Sequence, residues 1–386
     1  IFEIKSHKNI GVDDFSNQEY SDLMALFNLA WIDPSHVDRF PELKPLIAKE
    51  RGYSLKDRIK IIDIHREIIS QIIPTYRKYI QAGRIELTTS PYYHSILPIL
   101  HDEDIIYETT STLDNLPAVI DFEEDACRQI EMAINKIVNV FGVKPRAIWP
   151  SELCLSTKVL DLLIDMGIEW TISDESILSK TINQEFVRDF RGNLEDPYHL
   201  LKIYQYKKKK NKINIIFRDS SIPSLINFEY GSMDSKVAAE DLYNKIKIIQ
   251  SKLLISPDKN HLLTIALDGE NCWERYKNDG ADFLNRFYSL ITKDSSLETV
   301  KISDYMDKND ARKTIDGISS GSWTTKDFSF WIGEPTKNLA WDYLIKTRQD
   351  IMELNRNNPQ GDFEQALHEI YIAEGSDWFW WYGEPN

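Results

Sequence analysis

Apolar positions alternate between short runs and longer helical stripes for about the first two-thirds of the chain, and form helical stripes alone after that. Over residues 56–81, Ile59, Ile62, Ile69, Ile72, Ile73 and Tyr76 recur at helical spacing. That pattern predicts a long amphipathic helix facing the core through these side chains, kinked by Pro74. Residues 20–32 are strongly apolar and end at Asp33-Pro34; length alone does not separate strand from helix there. Gly83 leads into a short strand, Arg84-Ile-Glu-Leu-Thr-Thr, and a loop, Ser90-Pro-Tyr-Tyr-His. A second helix is predicted over 121–141, with acids in its first turn as the helix dipole favours. Arg146-Ala-Ile-Trp reads as a strand, and a helix over 157–166 follows, capped by Ser156 and ended by Gly167. Next come a strand at 168–172 that closes at Ser173-Asp-Glu-Ser, a hairpin over 201–218 and a helix over 234–254. The lysine run 207–210 is the solvated turn of that hairpin. An uninterrupted apolar run, 262–267, then predicts a strand over 261–267 buried on both faces, delivering Asp268 and Glu270 at its C-terminal end.

Beyond residue 275 the pattern changes. Helices at 280–293, 336–356 and 362–374 dominate, with an aromatic loop (Gly321-Ser-Trp, Phe330-Trp-Ile) between the first two. Strand–helix alternation through residue 275 predicts an α/β barrel or a doubly wound sheet, with a helical domain packed against it. Parallel strands of either kind gather their C-terminal ends at one face.

Composition narrows the function classes. A formal charge of −15 argues against nucleic acid or an anionic membrane as the main partner. No apolar run approaches the roughly 18 residues of a membrane helix, and the N-terminus has no signal-peptide pattern. Cys127, Cys154 and Cys272 lie far apart without a CxxC pair, so a reducing, cytoplasmic compartment is expected rather than a disulfide framework. No zinc-ligand set, phosphate loop, dinucleotide fingerprint or nucleophile elbow occurs, so neither a metal nor a cofactor is expected.

What remains is carboxylates. Glu86, Glu152, Asp219 and Asp268 each stand at the end of a predicted strand. Two carboxylates in one aromatic-lined mouth can divide labour, because burial and neighbours push their pKa values apart. One then acts as nucleophile or base and the other as general acid, the equipment of glycoside hydrolysis. Tyr92, Tyr93, Trp149, Trp273, Trp323 and Trp331 lie in loops near these acids, where aromatic faces can pack on sugar rings. His94 can bond a substrate hydroxyl, while His65 and His368 lie within helical patterns and read as structural.

In order along the chain, Phe27-Asn-Leu-Ala-Trp-Ile-Asp-Pro, Gly83-Arg-Ile-Glu-Leu-Thr-Thr-Ser-Pro-Tyr-Tyr-His, Trp149-Pro-Ser-Glu, Ile168-Glu-Trp-Thr-Ile-Ser-Asp-Glu, Ile216-Phe-Arg-Asp, Leu267-Asp-Gly-Glu-Asn-Cys-Trp-Glu, Gly321-Ser-Trp, Trp331-Ile-Gly and Gly375-Ser-Asp-Trp-Phe-Trp-Trp carry a resemblance. The chain resembles glycoside hydrolase family 57, in the branch near amylopullulanases and α-amylases. The resemblance implies an irregular seven-stranded (β/α) barrel over 1–275, followed by an α-helical domain over 276–386 that closes the cleft. It implies a retaining mechanism on α-linked glucans, with Glu152 as nucleophile and Asp268 as general acid/base. Glu86 falls on the glutamate of the family's second motif, and Asp377 and Trp378 near its fifth. Arg218 and Asp219, His94, Trp149, Trp273 and Trp323 lie within the matching segments and are expected to line the substrate, with Glu270 orienting loop or sugar. The family's first motif, a His-Gln-Pro-type element, is absent, so a first strand and the end of the helical domain are expected outside this chain. Ser220 and Ser224 stand where related sequences often carry histidine and aspartate, which leaves the choice of glucan open.

Three readings follow: hydrolysis of α-glucans, transfer or branching through the same glycosyl-enzyme intermediate, and glucan binding without catalysis. A metal-dependent deacetylase or mannosidase is disfavoured by the missing ligand cluster.

Overall fold

The structure is a computed structural model that describes residues 15–101, 107, 117, 120–256, 260–270, 273–358, 361 and 363–383. The chain divides into two compact units: Ile1–Gly83 with Ile226–Tyr243 and Asp268–Glu298, and Arg84–Leu225 with Asn244–Leu267 and Thr299–Asn386.

In the first unit, residues 20–32 resolve as helix: Asn17–Ala30 begins with a reciprocal capping box between Ser16 and Glu19. A second box, Ser54 with Asp57, starts the helix Leu55–Ser70. That helix breaks at Gln71 and a new one, Ile72–Gln81, carries Pro74 in its first turn. Pro74 has no N–H to give and its ring crowds the carbonyl four residues back, so the break falls where the sequence pattern placed a kink. The face predicted to be buried is a correction. Ile59 and Ile69 are 52% and 61% exposed, whereas Ile61 and Ile64 are 0% and 2% exposed. Isoleucines at 61, 64 and 68 obey helical spacing as well as those at 59, 62 and 69, so periodicity gives two eligible faces. The neighbouring helix decides, because it offers Ala25, Leu26 and Leu29 to the inner set.

The second unit holds a five-stranded sheet: β1 (Ala147–Ile148), β2 (Trp170–Asp174), β3 (Tyr204–Lys208), β4 (Asn211–Arg218) and β5 (Lys313–Ile315), in the order β1-β2-β4-β3-β5. β1, β2 and β4 run parallel, and the 201–218 hairpin is present as the antiparallel β3–β4 pair, turning through Lys209 at φ 53°. All five residues of β2 are buried, as befits a strand covered on both faces. The core beneath it gathers Ala147, Leu153, Trp170, Ile172, Ile203 and Ile216. Two predicted strands are corrected. Among the described residues, 84–89 form no ladder and pair with the sheet through a parallel bridge from Thr89 to Ile148. Residues 261–267 form no ladder among the described residues; Leu262 N–H donates to the carbonyl of Leu201 outside any strand, and the Ala266 carbonyl is taken by Arg218 at 3.1 Å. Side-chain and loop partners satisfy this backbone where a neighbouring strand was expected.

Ser156 caps the helix Thr157–Asp165 through Val159 N–H at 3.2 Å, and Gly167 follows it at φ 74°. Where the chain was expected to leave β2 as a loop, Asp174 accepts from Ser176 N–H and starts the helix Glu175–Ile182. The boundary expected at 275/276 falls inside the 268–298 segment of the first unit. From Thr299 the chain belongs with the sheet, because β5 pairs parallel to β3.

A buried polar cluster ties three helices of this unit together. Arg348, on Pro335–Asn357, grips Asp125, on Glu123–Phe141, through two hydrogen bonds. Gln129, one turn on from Asp125 and fully buried, donates to Glu374 Oε2 at 2.9 Å, just past the helix Glu364–Ala373. Burial raises the Glu374 carboxyl from 4.5 to about 9, and neighbouring Asp125 pushes the same way, so it is neutral near pH 7.

Two outcomes test this packing. Ile64→Ala should cost ~2–5 kcal/mol of unfolding free energy, and Ile59→Ala should stay within ~0.5 kcal/mol; equal losses in urea titration would refute the assignment of faces. A carboxyl raised in the folded state contributes stability below its unfolded value of 4.5 that is lost as pH rises toward about 9. Glu374→Gln should therefore gain on the wild type across that window, by at most about 1.4 kcal/mol per pH unit, and parallel stability curves would contradict it.

Candidate active site

Glu152 follows β1 in Trp149-Pro-Ser-Glu, within a single tight turn, Ser151–Leu153. Both Glu152 and Leu153 sit at φ 52°, in the left-handed region. For side-chain-bearing residues that conformation costs roughly 1–2 kcal/mol each, and it persists only where surrounding contacts enforce it. They do so from three sides. Leu153 O accepts from Ser173 Oγ on β2, Glu152 O accepts from Trp323 N–H, and Leu155 exchanges two backbone hydrogen bonds with Gly321, each 3.1 Å. A Cβ at Gly321 would lie 2.6 Å from both Ile177 Cδ1 and Lys326 O, so only glycine permits this approach.

The Glu152 side chain is 19% exposed, buried along most of its surface. Trp323 Nε1–H donates to Oε2 at 2.5 Å, and His94 Nε2 stands 4.0 Å from Oε1. The Trp323 ring is braced edge-on by Trp149, centroids 5.7 Å apart, and covered by the Arg218 guanidinium at 4.1 Å. Arg218 is held by Asp174 at 2.7 Å and by the Ala266 carbonyl. His94, at φ 58°, shares a 2.6 Å hydrogen bond between Nδ1 and Ser376 Oγ. One carboxylate oxygen is thus anchored by an N–H donor and the other faces an imidazole, an arrangement suited to a carboxylate nucleophile or base.

The structure brings Glu152, His94, Trp149, Arg218 and Trp323 together. Other predicted site residues have different partners. Both Glu86 oxygens bond Ser303, one taking its N–H and the other its hydroxyl, so Glu86 caps the helix Ile302–Lys308 while Trp170 Nε1–H donates to the same hydroxyl. Asp219 is 1% exposed and paired with Arg188 at 3.2 Å. Ser220 donates to Glu175, which also binds Arg188. Asp377 lies exposed in the first turn of Ser376–Trp381; Trp378 is half exposed, its Nε1–H on the Ile372 carbonyl. In the first unit, Asp268 is half-buried and Glu270 exposed on a turn. Trp273 folds back to donate to Gly269 O at 2.5 Å and packs on Tyr276 and Phe283.

Sequence reasoning passed over Ser376, although its motif was singled out for Asp377 and Trp378. It also passed over Asp174, whose partner Arg218 lies 44 residues away along the chain. Arg188 carried no signal, since a lone arginine in a loop acquires meaning only from the acids around it. A cavity of about 240 Å³ in the same unit, lined by Thr88, Ile148, Trp149, Trp170, Thr264 and Leu267 among others, does not reach Glu152. Among the described residues no cluster of His, Cys, Asp and Glu could hold a metal ion, and no helix is long and apolar enough to cross a membrane.

Comparison with known proteins places this geometry. The profile of Glycosyl hydrolase family 57 matches residues 4–317. A curated protein of Methanocaldococcus jannaschii named "Putative alpha-amylase" is 21% identical over 320 residues, covering 81% of this chain; the chain spans 59% of that relative's length. Among solved structures, a branching enzyme of this family from Pyrococcus horikoshii superposes with a TM-score of 0.63 at 16% identity, covering 94% of this chain and 70% of its own. A branching enzyme from Thermococcus kodakaraensis gives 0.64 at 14%, covering 94% and 72%. The α-amylase AmyC from Thermotoga maritima gives 0.60 at 14%, covering 96% and 74%. At such identities the structural likeness speaks for a shared (β/α)-barrel-like fold, with five strands present among the described residues. The match along most of the sequence goes further: the chain belongs to Glycosyl hydrolase family 57.

Proposed function

We propose that this protein is a retaining hydrolase of α-linked glucans, with Glu152 as nucleophile and Asp268 as general acid/base. The observation that carries the reading is Glu152 itself: a largely buried carboxylate in a left-handed turn, one oxygen bound by Trp323 and an aromatic pair beside it. Family membership and the relatives' printed names support the substrate class. A Glu152 oxygen bonds the anomeric carbon as the glycosidic C–O bond breaks, and Asp268 gives its proton to the departing oxygen. Water then attacks the same carbon, losing a proton to Asp268 and releasing Glu152, so the anomeric configuration is kept. Transfer to a glucan acceptor differs only in what reaches the intermediate, and the branching enzymes among the structural relatives keep it as the second reading. The expected substrate-lining roles of Asp377, Trp378, Glu270 and Trp273 belong to the same proposal. The thiols of Cys127 and Cys154, both free, support a reducing, cytoplasmic setting.

Turnover of amylose and maltooligosaccharides by the full chain decides the matter. Glu152→Ala should abolish it, with azide restoring activity and yielding a glycosyl azide of inverted configuration. Asp268→Asn should lower kcat by roughly 10²–10⁴-fold. A wild-type product first released as the β-anomer, or undiminished activity in Glu152→Ala, would sink the assignment.

A further inference from the structure

His94 reaches Glu152 from a loop whose conformation is set from elsewhere. His94 lies at φ 58°, outside the conformations an isolated histidine prefers. Contacts from Gln129 and from the 375–376 turn hold it there. Gln129 accepts from Tyr93 N–H through Oε1 at 3.0 Å, while its backbone carbonyl accepts from Tyr92 N–H at 3.1 Å. The Gln129 amide nitrogen donates at 2.9 Å to both the Tyr371 carbonyl and Glu374 Oε2. Past Glu374, Gly375 pairs with Ser95 in an antiparallel bridge, and Ser376 meets His94 through both its hydroxyl and its N–H. A Cβ at Gly375 would lie 2.9 Å from the Tyr93 carbonyl, so the turn must be glycine to close on the loop.

The amide of Gln129 cannot be reversed in this setting. Tyr93 N–H can only donate, so Oε1 must face it; the Tyr371 carbonyl can only accept, so the nitrogen must face that side. Glu374 completes the second side as an acceptor and, with its raised pKa, adds no charge beside the Asp125–Arg348 pair. Gln129 is 0% exposed and Glu374 1% exposed, so any unmet bond here is left without water.

We propose that Gln129 and Glu374 are positioning residues: by locking the 374–376 turn onto the 92–95 loop they set the His94 imidazole beside Oε1 of Glu152. Trp323 holds Oε2, and the imidazole stands 4.0 Å from Oε1. When Ser376 donates to Nδ1, the neutral ring carries its proton on Nε2, facing that oxygen. The kinetic consequence rests on Glu152 being the nucleophile; the placement of His94 does not.

The test uses the full chain labelled with ¹⁵N-histidine, its eight histidines resolved by the signal lost in His94→Asn. Gln129→Leu should displace the His94 ring resonances and lower kcat roughly 10–100-fold, the penalty of a displaced reacting group, with KM within about threefold. Glu374→Ala should do the same in milder form, and Glu374→Gln should restore both readouts, because a neutral acceptor is what the site requires. Ser376→Ala keeps the cluster but removes the hydroxyl that fixes the tautomer, so it should shift both ring-nitrogen signals of His94. Ile64→Ala, a core substitution in the other unit, should move neither readout. Unchanged His94 signals in Gln129→Leu, or equal shifts in Ile64→Ala, would overturn the proposal. Displaced signals in a protein whose wild type turns over no glucan would uphold the positioning and refute the reading of Glu152 instead.

Discussion

Everything around the candidate site depends on keeping Glu152 and Leu153 in left-handed backbone, against their intrinsic preference. The enforcement comes from segments distant in sequence. β2 supplies Ser173 to the Leu153 carbonyl, and the loop after β5 supplies Gly321 and Trp323. Gly321 matters for its missing side chain, because the two-bond exchange with Leu155 needs backbone where a Cβ would collide. The same loop then places the Trp323 indole on the carboxylate. One loop therefore sets both the backbone of Glu152 and one of its two oxygens, which makes the presentation of the acid a property of the assembled unit.

Partnering also separates this acid from the others at predicted strand ends. Asp174 and Asp219 are each matched by an arginine, and buried pairs of that kind are expensive to break. Glu86 is spent on a helix N-terminus, where a carboxylate satisfies otherwise orphaned N–H groups and complements the dipole. Glu152 is instead held by a neutral indole donor, with an imidazole beyond hydrogen-bonding distance of its other oxygen. Arg218 sits over the Trp323 ring and is held by Asp174, so it stiffens the aromatic wall beside Glu152.

The polar cluster of Asp125, Gln129, Arg348 and Glu374 extends that control to His94. A neutral Glu374 is what lets a glutamine bridge two segments without introducing an unpaired charge. It lies between the helical C-terminal region and the loop that carries the imidazole.

Local rules were enough for much of the secondary structure. Capping residues, glycine stops, Pro74 and the lysine turn of the β3–β4 hairpin act within a few residues, and the observed helices and hairpin follow them. The motifs also marked Glu152, His94, Trp149, Arg218 and Trp323, which come together. Tertiary structure decided what depends on partners. It chose between two equally periodic isoleucine faces on Leu55–Ser70, because only the neighbouring helix distinguishes them. It denied ladders to residues 84–89 and 261–267, because a strand exists only when another edge is there to pair with it. It gave Glu86 a helix N-terminus to cap and Asp219 an arginine to pair with, since a carboxylate's partners are set by whatever donors lie nearest in space. Sequence can list acids that stand at the right places along the chain; which donors each of them meets follows from what folding brings beside it.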